Sequence, residues 1–158
     1  MSIRIENAAP ENIPQILALL YEFAEYEKLL DSFEVTEERL EIALFGDGKV
    51  AEAIVALDGE TVIGYAIFFP YFATFRGQRG IYLEDIYLTT RSRGRGVGEM
   101  MLKYIAKIAK QRGFERIDFQ VLEWNAPAIG FYERLGADRN DDERHFKFAG
   151  EAFETLAL

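Results

Sequence analysis

The residues best suited to chemistry lie where an apolar strand runs into a helix. Tyr82-Leu83-Glu84-Asp85-Ile86-Tyr87-Leu88 reads as the strand, and Arg91-Ser92-Arg93-Gly94-Arg95-Gly96-Val97-Gly98 as the turn into a helix that begins near Val97. Glycine at alternate positions lets backbone N–H groups converge on one point without Cβ hindrance. The helix N-terminus adds unpaired donors and the positive end of a dipole. Together they form an anion cradle suited to phosphate, to which Arg93 and Arg95 can add charge-assisted contacts.

Three phosphate-binding patterns compete for this stretch. A P-loop requires Gly-Lys-Ser/Thr at the helix start, but Gly98 is followed by Glu99-Met100. A dinucleotide fingerprint, Gly-x-Gly-x-x-Gly, needs its last glycine where Glu99 or Met101 stands. The third pattern, Arg/Gln-x-x-Gly-x-Gly/Ala, is met by residues 93–98. The plain alternative is a glycine-rich loop that only turns the chain. The preceding strand, the arginines and the following helix weigh against it.

The elements that must position this turn follow from hydrophobic periodicity. Residues 2–6 alternate apolar and polar and predict a first strand. Ile13, Ile16, Leu17, Leu20, Phe23 and Ala24 recur at helical spacing, followed by the acidic, aromatic Glu25-Tyr26-Glu27-Lys28. Thr36-x-x-Arg39 opens a short second helix that Gly46-Asp47-Gly48 stops. Strands at 50–57 and 61–71 flank Asp58-Gly59, a hairpin signal; 74–80 reads as a polar loop and 81–88 as the third long strand. Beyond the glycines, Val97, Met100, Met101, Tyr104, Ile105 and Ile108 fall in one helical stripe. A strand is expected at 115–122, then a helix capped by Asn125, with Pro127 in its first turn and Gly136 at its end. Ala137-Asp138 and 144–148 predict a final hairpin or strand pair around Asp141-Asp142-Glu143, and 150–158 a short amphipathic tail. The order β-α-α-β-β-β-α-β-α-β-β predicts a single α/β (α+β mixed) domain. Its sheet is antiparallel at the early hairpin and parallel through the crossover at 81–122.

Composition bounds the function. The chain has 158 residues, the size of one domain, and 49% hydrophobic residues, enough for a real core. No apolar run approaches the ~20 residues of a membrane span, and the N-terminus reads as a strand rather than a signal peptide. With no cysteine, disulfides, thiolate–metal sites and Cys nucleophiles are excluded. The lone His145 cannot build a His-based metal site and reads as an ordinary strand residue. A formal net charge of −9 weighs against non-specific nucleic-acid binding and suits a cationic substrate. A cytoplasmic protein without metal, nucleic-acid or membrane partners fits all of this.

Leu83-Glu84-Asp85-Ile86-Tyr87, residues 93–98, and Trp124-Asn125-Ala126-Pro127-Ala128-Ile129-x-Phe131-Tyr132-x-x-Leu135-Gly136-Ala137 stand in the order and spacing of the GNAT N-acetyltransferases. The combination resembles the diamine (spermidine/spermine) acetyltransferase branch, including its thialysine-acetylating relatives, over essentially the whole chain. The resemblance implies the GNAT fold: a central mixed, mostly antiparallel sheet with splayed parallel strands, flanked by helices, with acetyl-CoA in the gap. It implies that the backbone of Ile86, Tyr87 and Leu88 holds the pantetheine and thioester. Arg93, Gly94, Arg95, Gly96, Val97, Gly98 and Glu99 would hold the pyrophosphate, and Asn125, Ala126, Pro127 and Ala128 would contact the cofactor further along. It also implies a homodimer with the acceptor site near the subunit boundary, and no metal.

The implied reaction is attack of an amine on a thioester. An alkylamine has pKa ~10.4, so at pH 7 roughly one molecule in a few thousand is neutral, and a proton acceptor is needed. Glu84 matches the family's base and Tyr132 its general acid, a phenol that donates while neutral. Adjacent residues of a regular strand point to opposite faces, so Glu84 and Asp85 reach one amine together only if the strand bulges. Asn125 and Tyr132, seven residues apart, project to the same side of their helix. The resemblance places the substrate at Tyr26, Glu27, Glu84, Asp85, Asp118, Phe119, Gln120 and Asp141. The expected activity is acetyl-CoA-dependent N-acetylation of a small primary amine: a polyamine, a diamine, or a lysine analogue such as thialysine. The alternatives are a GNAT enzyme acting on protein lysines or N-termini, and a non-catalytic acyl-CoA-binding module. The presence of both Glu84 and Tyr132 argues against the latter.

Overall fold

Alternating side chains divide the strands between two helical layers. The computed structural model describes residues 2–158, in two compact units that divide between Gln120 and Val121. In the first unit five strands lie side by side in sequence order: β1 (Ile3–Asn7), β2 (Glu52–Asp58), β3 (Thr61–Ala73), β4 (Gln78–Leu88) and β5 (Arg116–Asp118). The first four pair antiparallel, and β5 joins β4 in parallel. Ile54, Ala56, Ile63, Ala66, Ile81 and Leu83 face α3 (Val97–Gln111). Val55, Leu57, Val62, Tyr65 and Tyr87 face α1 (Ile13–Tyr26) and α2 (Glu37–Phe45). Covering both faces explains the unbroken apolar run through β2 and β3. The architecture is the mixed, mostly antiparallel sheet flanked by helices that the sequence predicts.

Local signals set most boundaries. The Thr36 hydroxyl accepts from the Arg39 backbone N–H at 3.2 Å and caps α2. In α3, Val97, Met101, Ile105 and Ala109 are buried. Met100, expected in that stripe, is 40% exposed. It sits about a sixth of a turn outside Val97, on the margin of the apolar face. The β3–β4 hairpin is longer than expected, because Tyr71, Phe72 and Ala73 pair with Gly80, Arg79 and Gln78. Ladder bonds are backbone bonds, so the polar residues read as a loop extend the strand.

The second unit carries α4 (Ala126–Arg134) and α5 (Glu151–Leu156). The predicted strand pair around Asp141-Asp142-Glu143 is absent: residues 137–149 hold no strand, and His145 lies in irregular chain. Phe146 and Phe148 alternate with charges as a strand would, yet they are 84% and 67% exposed. Alternation makes a strand only where another strand supplies the ladder, and among the described residues none pairs with this segment. The strand predicted at 115–122 shortens to Arg116–Asp118 for a related reason: only Gly80, Ile81 and Tyr82 of β4 supply parallel partners. No helix of the described residues is long and apolar enough to cross a membrane.

Candidate active site

β4 outruns its parallel neighbour. Pairing with β5 ends at Tyr82↔Asp118, whereas β4 continues to Leu88. From Leu83 to Leu88 the β5-side edge of β4 therefore has no strand partner among the described residues. Such an edge can bond the amides of an extended ligand as it would another strand. Ile86, Tyr87 and Leu88 lie on it.

A bulge interrupts the same strand. Ile67 pairs with Asp85 and Phe68 with Leu83, which leaves Glu84 as the extra residue. Facing parity shifts accordingly: Ile81 and Leu83 line the α3-side core, and past the bulge Ile86 and Leu88 pack against it. The bulge lifts the alternation rule that separates Glu84 from Asp85. Glu84 is exposed on the bulge, while Asp85 is largely buried. The parity change from 81 and 83 to 86 and 88 is visible in the sequence and could have flagged the bulge.

The sheet face beneath the end of α1 is acidic. Burial first, then the charges of Glu84 and Glu27, pushes the Asp85 carboxyl up to about 7. Glu27, the residue closing α1, is half-buried, and that burial raises its carboxyl too. Tyr87 is pushed up to about 12, chiefly by burial and by Glu22, against the opposing charge of Arg93. Phe23 stacks on the Tyr87 ring at 5.0 Å, and the Tyr65 ring lies 6.5 Å from it. Carboxylates in an apolar setting can hold a cation or accept a proton near neutral pH. Tyr65, Glu22 and the Tyr87 side chain escape sequence reasoning, because only the pairing Tyr65↔Tyr87 and the packing of α1 bring them here.

The glycine turn has the form an anion cradle needs. Gly94 and Gly96 have φ of 76° and 78°, a left-handed conformation that strains other residues. Gly96 caps α3 without a side-chain acceptor, so the first-turn N–H groups of Val97, Gly98 and Glu99 can face an anion. Arg93 is anchored: its Nε donates to the Leu88 carbonyl at 3.1 Å, and its guanidinium lies 4.9 Å from the Tyr26 ring and 5.4 Å from the Tyr87 ring. It joins the turn to the end of α1. Arg95 lies 4.0 Å from Asp58. These two, with Thr61, Ile63, Arg91 and Ser92, line a cavity of about 260 Å³ beside the turn. Glu99 pairs with Lys103 at 2.9 Å.

The remaining expected residues divide between the units. In the first, Asp118 accepts two hydrogen bonds from Arg116, at 2.7 and 3.0 Å. Phe119 packs against the α3-side core, and Gln120 is exposed. In the second, the buried Asn125 caps α4 by accepting from the Ala128 N–H at 3.4 Å, and Ala126 and Pro127 open the helix. Tyr132 is half-buried, edge-on to Phe131 at 5.3 Å. Asp141 is exposed and pairs with Arg139 at 3.1 Å. Among the described residues no group of three or more His, Cys, Asp or Glu could hold a metal ion.

The family model described as Acetyltransferase (GNAT) family matches residues 14–137. Thialysine N-epsilon-acetyltransferase of Sus scrofa is 35% identical over 167 residues, covering 99% of this chain and 98% of the relative. Its namesake of Bos taurus is 36% identical, covering 98% and 97%. Among solved structures, an integron cassette protein from the mobile metagenome of V. cholerae superposes with a TM-score of 0.82 at 23% identity, covering 99% of this chain and 98% of that one.

Proposed function

The chain belongs to the GNAT family of acetyltransferases, and from that membership we propose that it transfers acetyl from acetyl-CoA to a primary amine of a small polyamine, diamine or lysine-like acceptor such as thialysine. It is an N-acetyltransferase, as its relatives are. The observation that carries the proposal is β4. Its open edge from Leu83 to Leu88 ends in the Gly94–Gly96 turn, with the Glu84 bulge and Asp85 beside it. Acetyl-CoA fits these features: its amides suit an open strand edge, its pyrophosphate suits a helix N-terminus, and it supplies an activated thioester. The names of the relatives support the lysine-analogue end of the acceptor range.

Ile86, Tyr87 and Leu88 hold the pantetheine through their backbone, and residues 93–99 hold the pyrophosphate. Asn125, Ala126, Pro127 and Ala128 contact the cofactor beyond. Glu84, exposed on the bulge, accepts the acceptor's proton directly or through water. Tyr132 gives a proton to the departing sulfur. Tyr26, Glu27 and Asp85 seat the acceptor, with Asp118, Phe119, Gln120 and Asp141 as further contacts. The family match runs across Gln120, which supports taking residues 1–158 as one acetyltransferase domain. That domain works as a cytoplasmic homodimer; a monomer in sedimentation would refute the dimer.

The test is CoA-thiol release from acetyl-CoA, with product mass, across spermidine, spermine, putrescine, lysine, thialysine and a lysine peptide. Strong turnover of one small amine is expected. Turnover of the peptide alone would mark a protein-modifying enzyme. Binding of acetyl-CoA without transfer to any amine would refute the small-amine activity.

A further inference from the structure

Folding alone does not account for the Tyr65 hydroxyl. Tyr65 on β3 is fully buried, and its Oη has no hydrogen-bond partner among the described residues. A sealed, unpaired hydroxyl is a net cost to the fold, and such groups are few in native proteins. Phenylalanine would fill the same space without that cost.

The surroundings of the hydroxyl indicate its use. Tyr65 pairs with Tyr87 and Ile67 with Asp85, so all four share the α1 face of the sheet. Tyr65 and Asp85 are diagonal cross-strand neighbours, a spacing an aromatic side chain spans. Burial first, then the charges of Asp85 and Glu27 and the nearby Tyr87, raises the Tyr65 phenol well above its usual range and keeps it neutral. Glu27 reaches this face from the end of α1, and Glu84 acts on it from the bulge. A neutral phenol oxygen thus stands among carboxylates, inside apolar packing.

We propose that the Tyr65 hydroxyl, with the Asp85 and Glu27 carboxylates, seats the non-reacting ammonium of a diamine acceptor and makes Tyr65 a specificity residue for a primary amine at that end. The proposal rests on the small-amine activity above and adds which acceptors are preferred. A primary ammonium carries three N–H donors, and these three groups offer three acceptors. Its charge answers the two carboxylates, and, once the packing over Tyr65 parts to admit it, its third donor satisfies the hydroxyl. A monoamine brings nothing to the seat. A dimethylated amine brings one donor and two methyl groups.

The test is Tyr65→Phe, compared with wild type on 1,3-diaminopropane, N,N-dimethyl-1,3-diaminopropane and 1-aminopropane. The variant is expected to melt at or above the wild-type temperature, since it loses an unpaired buried group. Its KM for 1,3-diaminopropane should rise about tenfold, the effect of one hydrogen bond to a charged group. Its kcat and its KM for acetyl-CoA should stay within about twofold, the pattern of lost ground-state binding. KM for the other two amines should barely move. Tyr71→Phe is the control, because it removes another sealed hydroxyl, one beside the Tyr82 ring, and should leave every KM unchanged. An unchanged diamine KM in Tyr65→Phe, an equal rise for all three amines, or a lower melting temperature would each overturn the seat. If wild type acetylates no small amine, the wider activity fails and the seat is tested by melting alone. A larger stabilisation of wild type than of Tyr65→Phe by 1,3-diaminopropane then supports it, and equal shifts overturn it.

Discussion

At Asp85 the fold sets a carboxyl against burial and against the charges of Glu84 and Glu27, and its pKa rises from 3.8 to about 7. The folded protein therefore holds this proton more tightly than the unfolded chain does. Between about pH 4 and pH 7 the native state binds more protons, so this group's contribution to stability falls as pH rises and stays lost above pH 7. Asp85→Asn removes that dependence. Relative to wild type, the variant should gain on the order of 2–4 kcal/mol between pH 4.5 and pH 8, read from urea melts at both pH values. A constant difference would mean that Asp85 titrates as a free carboxyl does. Tyr132 is tested through turnover. Tyr132→Phe should lower kcat by roughly a hundredfold, the low end for a general acid, with little change in KM. Wild-type turnover would remove Tyr132 from the chemistry. Sequence shows that Asp85 and Tyr132 are present, but the Asp85 pKa is raised first by burial, then by its neighbour Glu84 and by Glu27, fifty-eight residues away in the chain, and the burial and the approach of Glu27 come only with the fold.

At the scale of elements, the bulge lets the proposed role of Glu84 be tested apart from stability. Glu84 is the unpaired residue between Leu83↔Phe68 and Asp85↔Ile67. Deleting it converts the bulge to regular pairs and leaves Ile86, Tyr87 and Leu88 facing as before. The deletion variant should keep its circular dichroism and a melting temperature within about 10 °C of wild type. Its kcat/KM should fall at least a hundredfold, the scale of a lost proton carrier. Loss of cooperative unfolding would show that β4 needs the bulge to fold. The helices and the Asp58-Gly59 hairpin are legible in the sequence because caps, glycines and periodicity act within a few residues. The segment 144–148 misleads because its alternation is also local, while a strand needs a partner that local sequence does not supply.

For the whole molecule, a net charge of −9 sets a field that favours cations, the proposed amine acceptor among them, near the acidic face around Asp85 and Glu27. Raising ionic strength from about 20 mM to about 500 mM shortens the Debye length from roughly 20 Å to roughly 4 Å. Over that range kcat/KM for a diamine should fall several-fold, and for a monoamine by less. A salt-independent kcat/KM would confine the electrostatics to direct contacts.

The sequence by itself determined the family, the mixed sheet and the glycine turn. Each is carried by residue types at short fixed spacings: Leu83 to Tyr87, Arg93 to Gly98, Asn125 to Ala137. Left-handed backbone at Gly94 and Gly96 is a property of glycine itself, so the spacing announces the turn before any packing is known. Only the tertiary structure decided where β5 stops pairing, that the Arg93 guanidinium lies over the Tyr26 and Tyr87 rings, and that Tyr65 lies sealed beside Asp85. Those facts depend on which distant segments meet. Burial and charge act through space, and the chain reaches that proximity only when α1 closes over β3 and β4.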